Sequence, residues 1–256
     1  MVSDFMSALR TLSGKTLMVT GAAKRVGAAI CRRAHAAGAN IVVHYHRSAA
    51  EAEQLAGTLN SSRADSAVAL HADLLCDPAN DLIASAVAVF GGLDGLVNNA
   101  SSFFPTPLGQ IDEAAWTDLV GSNLKAPLFL AQAAAPALKA RGGAIVNIID
   151  IHAELPLQGH LVYNAAKGGL LALTRSLARE LAPTVRVNGV SPGPILWPES
   201  ETWNNAHERQ RIIDHTLLRR TGEPDDIAQA VEFLLTAPYV TGQILAVDGG
   251  RSIAID

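Results

Sequence analysis

Seven short apolar runs, mostly separated by longer helical patterns, constrain the fold of this 256-residue chain more than any other feature. The strand candidates cover residues 16–20, 41–44, 66–70, 95–98, 144–149, 185–190 and 243–247. Helical spacing is read over 26–37, 49–59, 78–90, 113–121, 126–140, 163–181 and 224–235. Strands joined by helix-length crossovers lie parallel, because right-handed crossovers return the chain to the same end of the sheet. The expected architecture is therefore α/β: a Rossmann-like doubly wound parallel sheet of about seven strands with helices on both faces. Apolar residues make up 49% of the chain and charged ones 17%, enough to bury both faces of such a sheet. A single domain over 1–256 is expected, with residues 1–13 as an N-terminal tail. Between residues 192 and 218 the alternation breaks, and the stretch carries Trp197 and Trp203. Because it follows a strand's carboxyl end, it reads as a substrate loop or lid, with an ordinary surface excursion as the alternative.

Composition excludes several partners. The net charge of -4 comes without a basic block, so no nucleic-acid partner is expected. Asp4 and Arg10 interrupt the first ten residues, and no apolar stretch reaches bilayer length; a soluble, cytoplasmic protein without a membrane partner is expected. Cys31 and Cys76 offer neither metal spacing nor a disulfide framework, and both read as structural. His152 and His160 stand apart without carboxylate spacing, so they read as loop residues and no metal is expected.

The turn Thr20-Gly21-Ala22-Ala23-Lys24-Arg25-Val26-Gly27 lies between the first strand and the first helix. Gly21 and Gly27 let backbone amides approach a pyrophosphate at the helix N-terminus, and Ala22 and Ala23 do not obstruct it. The spacing is looser than G-x-G-x-x-G, so its weight comes from its place between strand and helix. At the end of the second strand an acidic residue would select the unphosphorylated ribose. The segment instead reads His44-Tyr45-His46-Arg47-Ser48. With Lys24 nearby, Arg25, Arg47 and Ser48 suit a 2′-phosphate, which makes NADPH the expected cofactor; a solvated basic turn is the alternative. Asp73, after the third strand, is placed either to bond the adenine ring or to cap the next turn.

Tyr163 and Lys167 lie four residues apart at the start of a helix and project from one face. An ammonium about 4–5 Å from the phenol favours phenolate, so the expectation is a Tyr163 pKa lowered by about two, into working range for proton transfer. Asn123 is expected to tie the lysine to a proton-relay water.

These residues, together with Asn98-Asn99-Ala100, Asn123, Pro192-Gly193 and Val247-Asp248-Gly249-Gly250, resemble the classical short-chain dehydrogenase/reductase family over nearly the whole chain. The resemblance implies that Val26, Leu74, Asn99, Ala100, Ser101, Pro192 and Gly193 also line the cofactor. Members of that family usually place a serine just after the fifth strand to donate to a substrate carbonyl. Here Asp150 holds that position, in Asn147-Ile148-Ile149-Asp150-Ile151-His152. A carboxylate cannot donate to a ketone and repels a developing alkoxide, so a heteroaromatic C=N substrate fits better.

Gly21-Ala22-Ala23-Lys24-Arg25, His44-Tyr45-His46-Arg47-Ser48, Asn99-Ala100-Ser101-Ser102-Phe103 and the set Asp150, Tyr163 and Lys167 narrow the resemblance to pteridine reductases. By carry-over, Phe103 stacks on the pterin opposite the nicotinamide, and Ser101 bonds pterin or cofactor phosphate. From the residues alone, Phe103 is equally a core residue. The sequence departs from the pattern after Pro192-Gly193: where a serine is usual it reads Pro194-Ile195-Leu196-Trp197, and the pair Trp197-Pro198 is similar to bacterial members. Trp197 joins the expected substrate contacts. The implied activity is NADPH-dependent reduction of a dihydrobiopterin- or dihydromonapterin-type pterin, or dihydrofolate, by a homotetramer paired through 126–140 and 164–181. A carbonyl reductase acting on ketoacyl or sugar substrates is the first alternative. The second, a non-catalytic NADP-binding sensor, is opposed by intact Tyr163 and Lys167.

Overall fold

The computed structural model describes residues 11–197 and 205–254. Strands Thr16–Val19 (β1), Asn40–Tyr45 (β2), Ala67–His71 (β3), Gly95–Asn98 (β4), Ala144–Ile148 (β5), Arg186–Pro192 (β6) and Ile244–Val247 (β7) form one parallel sheet in the order β3-β2-β1-β4-β5-β6-β7. The helices are Arg25–Ala36 (α1), Ala49–Ser62 (α2), Ala79–Phe90 (α3), Glu113–Val120 (α4), Ala126–Arg141 (α5), Leu161–Leu181 (α6), Ala206–Asp214 (α7) and Pro224–Thr236 (α8). The expected sheet is present, with element ends shifted by a few residues.

Alternation along the strands splits the interior into two cores, one on each face. Leu17 and Val19 of β1 join Ile30, Cys31, Val231 and Leu234 from α1 and α8. Met18, between them, points the other way and joins Leu82, Leu130 and Leu138 from α3 and α5. Because β1 pairs with β2 on one side and β4 on the other, the crossovers leave it in opposite directions and open a crevice at the strands' carboxyl ends. Val19 is in register with both Val43 and Val97, which sets Thr20, His44 and Asn98 side by side at that crevice.

Three expectations are corrected. The break between the helical patterns 113–121 and 126–140 is no break: a π-helical turn, Gly121–Lys125, joins α4 directly to α5. One extra residue per turn leaves composition unchanged while shifting which side chains face the sheet. The segment 192–218 is not irregular throughout, since α7 lies within it, started by Asn205 accepting from the backbone of His207 and Glu208. No residue of α7 is buried, so it lacks the apolar stripe by which a helix is read from sequence. Of the expected tail, residues 11–13 are described, and Leu12 is buried in the core. Trp203 and Pro198 lie outside the described residues. Among those described, no helix is long and apolar enough to cross a membrane.

Candidate active site

The glycine turn packs against the end of β4 with no room to spare. Gly21 has φ +57°, and a Cβ on it would lie 2.9 Å from Ala100 Cα. A Cβ on Gly27 would lie 2.6 Å from the Gly21 carbonyl oxygen. Thr20 Oγ1 accepts from the backbone N–H of both Asn99 and Ala100, while Asn99 Nδ2 donates to the carbonyls of Thr20 and Gly21. The turn is thereby fixed by polar bonds to a neighbouring strand end before any ligand arrives.

His44 braces the turn from the other side. Its Nδ1 accepts from the Gly21 N–H at 3.1 Å, so Nε2 carries the proton and donates to the Ala72 carbonyl, also at 3.1 Å. Burial pushes its pKa down to about 4. An unfolded chain protonates this histidine below about 6.5 while the folded one resists until about 4, so stability is lost as pH falls through that window, by up to about 3 kcal/mol. His44→Leu strands the buried Ala72 carbonyl and frees the Gly21 N–H, and should lower the melting temperature at pH 7 by roughly 4–8 °C. Melts between pH 7 and 4 should show a flatter acid slope in the variant; an unchanged slope would remove His44 as its source.

Around this turn a crevice of about 510 Å³ is lined by Gly21, Lys24, Arg25, Val26, Gly27, His44, Tyr45, His46, Arg47, Ser48, Asp73, Leu74, Asn99, Ala100 and Ser101, all anticipated as cofactor contacts. Two residues have other engagements. Arg25, with φ +54°, donates from Nη2 to the carbonyls of Leu196 and Trp197, spanning from the glycine turn to the substrate loop. Lys24 pairs with Glu51 at 2.6 Å. Asp73 caps the following turn, the second of its anticipated roles, by accepting from Leu75 N–H at 3.0 Å, and that bond chiefly holds its pKa low. Its other oxygen is 3.6 Å from His46 Nε2. Cys31 is buried in α1, where burial pushes its thiol up to about 12. Cys76 departs from the structural reading: it is exposed, and a bond to Asp73 raises its pKa.

At the adjacent strand ends, Tyr163 donates its hydroxyl hydrogen to Asp150 Oδ2 at 2.8 Å. The other carboxylate oxygen accepts from His152 N–H at 2.9 Å, which fixes the group as the N-cap of a short 3₁₀ turn. Lys167 Nζ donates to the Ile148 carbonyl at 2.9 Å and stands 5.7 Å from the centre of the Tyr163 ring. The expected lowering of the tyrosine pKa is overturned. Burial first, and then the Asp150 carboxylate, raise the phenol well above its ordinary value. Lys167 itself is pushed down to about 8 by burial.

Polar bonds beneath the pair set its position. Asn98 Nδ2 donates to Asn147 Oδ1, and Asn147 Nδ2 donates to Thr174 Oγ1, each at 2.8 Å, tying β4 and β5 to α6. Asn123, on the π turn, donates to the carbonyls of Leu119 and Ser102, while its Oδ1 is buried without a partner among the described residues. No bond from Asn123 to Lys167 is present among the described residues.

A cavity of about 430 Å³ opens over Tyr163 and Asp150, with Ser101, Phe103, Lys167, Pro192, Gly193 and Trp197 in its walls. Phe103 meets Tyr163 edge-on at 4.8 Å and stacks on His160 at 4.8 Å with 13° between planes. His160, expected in a loop, is buried directly before α6 and is a wall for that phenyl ring. The sequence reading missed Arg251, Ile212 and Leu157 in the same cavity; none belongs to a motif, and only tertiary folding brings them there. Among the described residues, no group of three or more His, Cys, Asp or Glu is placed to hold a metal ion.

A family model described as enoyl-(acyl carrier protein) reductase matches residues 21–252. Pteridine reductase 1 of Leishmania tarentolae is 38% identical over 92% of this chain and 96% of its own. Putative ketoacyl reductase 2 of the granaticin polyketide synthase of Streptomyces violaceoruber is 37% identical over 92% of this chain and 95% of its own. Among solved structures, a blue fluorescent protein from a metagenomic library, in complex with NADPH, superposes with a TM-score of 0.87 at 35% identity, covering 94% of this chain and 99% of that one.

Proposed function

The chain belongs to the short-chain dehydrogenase/reductase family of oxidoreductases, and on that premise we propose that it is an NADPH-dependent reductase of dihydropterins, of the dihydrobiopterin or dihydromonapterin type, with dihydrofolate also a substrate. The crevice fits the cofactor: Gly21 and Gly27 leave no room for side chains where the pyrophosphate would lie, and His46, Arg47 and Ser48 supply donors for a 2′-phosphate. When bound, NADPH supplies the hydride.

The observation that carries the substrate reading is the carboxylate of Asp150, hydrogen-bonded to the Tyr163 hydroxyl. Asp150 accepts from ring N–H or amino groups and so orients a pterin, whereas a ketone would offer it nothing to bind. As hydride reaches the carbon of the C=N, Tyr163 gives its proton to the nitrogen, and Lys167 offsets the negative charge left on the phenol oxygen. Water then restores the proton. Phe103, backed by His160, keeps a flat ring against the hydride donor.

The ketoacyl reductase reading has a relative behind it, but the anionic Asp150 stands where a carbonyl oxygen would gather charge. A homotetramer is part of the proposal, supported by Trp116, Leu128 and Phe129, which α4 and α5 leave exposed. The test is oxidation of NADPH, and of NADH in parallel, with dihydrobiopterin, dihydromonapterin, dihydrofolate and simple ketones. Turnover of dihydropterins with NADPH but not of ketones is expected; turnover of ketones alone would reverse the assignment.

A further inference from the structure

A second chamber adjoins the substrate cavity. Ile151, His152, Leu157, Ile212 and Arg251 also wall this chamber of about 460 Å³, so the two adjoin through a common partition of side chains. Arg25, Lys167 and Arg251 line the first cavity together with Asp150, and the second chamber is basic as well. Arg211, Arg251, His152 and His215 line it, and no acidic side chain does among the described residues.

The groups are held in place by local structure. Arg251 Nη1 donates to the Ile212 carbonyl at 3.2 Å, which links the C-terminal 3₁₀ turn to α7. Asp248 accepts from the N–H groups of Gly250 and Ser252 and so fixes the turn that presents Arg251. Arg211 pairs with Glu208 at 2.9 Å on the exposed side of α7. His152 Nδ1 donates to the Leu155 carbonyl, which orients its ring. A ligand seated with nitrogen donors at Asp150 therefore shares its cavity with the Arg251 guanidinium, and Arg211 stands in the wall of the adjoining chamber.

We infer that this chamber receives an anionic group, a carboxylate or a phosphate, at the far end of a pterin's side chain, and that Arg251 selects anionic-tailed dihydropterins over neutral ones. The inference rests on the pterin reading of the site. Guanidinium forms paired, charge-assisted bonds with either anion, and these are worth more than neutral ones.

The experiment uses the full chain with saturating NADPH and three substrates: dihydrobiopterin (neutral tail), dihydrofolate (carboxylates) and dihydroneopterin monophosphate (phosphate). At low salt, kcat/KM for at least one anionic substrate should exceed that for dihydrobiopterin by about ten- to hundredfold. A preference for dihydrofolate identifies the carboxylate as the anion, and one for the monophosphate identifies the phosphate. Arg251→Gln should remove about tenfold of the advantage, through KM rather than kcat, and Arg251→Lys should restore part of it. Added salt should erode the advantage in the unmodified enzyme. Should Arg251→Gln fail to fold by circular dichroism, Arg211→Gln and the salt series decide in its place. Equal kcat/KM for neutral and anionic tails, or an Arg251→Gln loss that is the same for all three, overturns this inference and leaves the pterin reading intact. No turnover of any of the three, dihydrobiopterin included, overturns the pterin reading and this inference with it.

Discussion

Tyr163→Phe should lower kcat for dihydropterin reduction by about a thousandfold while leaving the affinity for NADPH within about twofold. Among the described residues, the phenol is the side-chain O–H bonded to Asp150 in the cavity wall, and a positioned general acid contributes about 10²–10⁴ to the rate. Phenylalanine retains the ring that meets Phe103 edge-on, so packing around the substrate is kept. Only the O–H is lost. Fluorescence titration with NADPH and single-turnover measurement of the hydride step separate the two effects. A variant within tenfold of the parent rate would show that the proton comes from elsewhere, and a parent enzyme that binds NADPH yet turns over nothing would favour the sensor.

The same geometry fixes the pH profile. With its pKa raised well above 10, the phenol stays protonated across the working range and contributes no limb of its own. Lys167 does, because burial brings it down to about 8. As pH rises through that value the ammonium is lost, and the negative charge left on the donor oxygen then faces Asp150 without compensation. The rate should fall accordingly. For stability the sign is opposite: between about 8 and the ordinary lysine value the unfolded chain holds the proton that the folded chain has shed, so burying Lys167 costs less as pH rises there. A profile that falls while the melting temperature does not would therefore identify the lysine rather than unfolding.

Much of this was legible in the sequence, because strand and helix periods are local and Gly21, Gly27, Tyr163 and Lys167 occur at spacings that local geometry interprets. What was not legible depends on contacts between distant segments. Tyr163 and Lys167 are one helical turn apart, which suggested a lowered phenol pKa. The influences that raise it are burial and then Asp150, brought over the hydroxyl by the meeting of β5 and α6. Arg25 lines the cofactor crevice, but its bonds to carbonyls some 170 residues later in the chain were not legible. The π turn at Gly121–Lys125 inserts an extra residue into a continuous helix, and nothing in residue type marks it. Arg251 carries no motif at all, and its place in the cavity wall follows from the last turn folding back on α7.

Asp150→Ser should cut kcat/KM for dihydropterins by about a hundredfold and create measurable reduction of simple ketones that the parent lacks. The carboxylate is held rigidly by His152 N–H and the Tyr163 hydroxyl, so its charge is presented at a fixed point in the cavity. Charge-assisted bonds to pterin N–H groups disappear with it, at a cost of about 1.5–3 kcal/mol, which is about ten- to hundredfold. In their place serine brings a hydroxyl that donates to a carbonyl oxygen and does not repel it. Removing the carboxylate also removes one of the causes that raise the Tyr163 pKa, so a new limb should enter the pH profile from the alkaline side. Asp150→Asn separates charge from shape: it keeps the side-chain outline, loses the anion, and should behave like serine towards pterins without gaining ketone reduction of the same size. If Asp150→Asn keeps the full dihydropterin rate, the negative charge is not what recognises the substrate, and the choice between a pterin and a carbonyl substrate has to rest on the walls of the cavity instead.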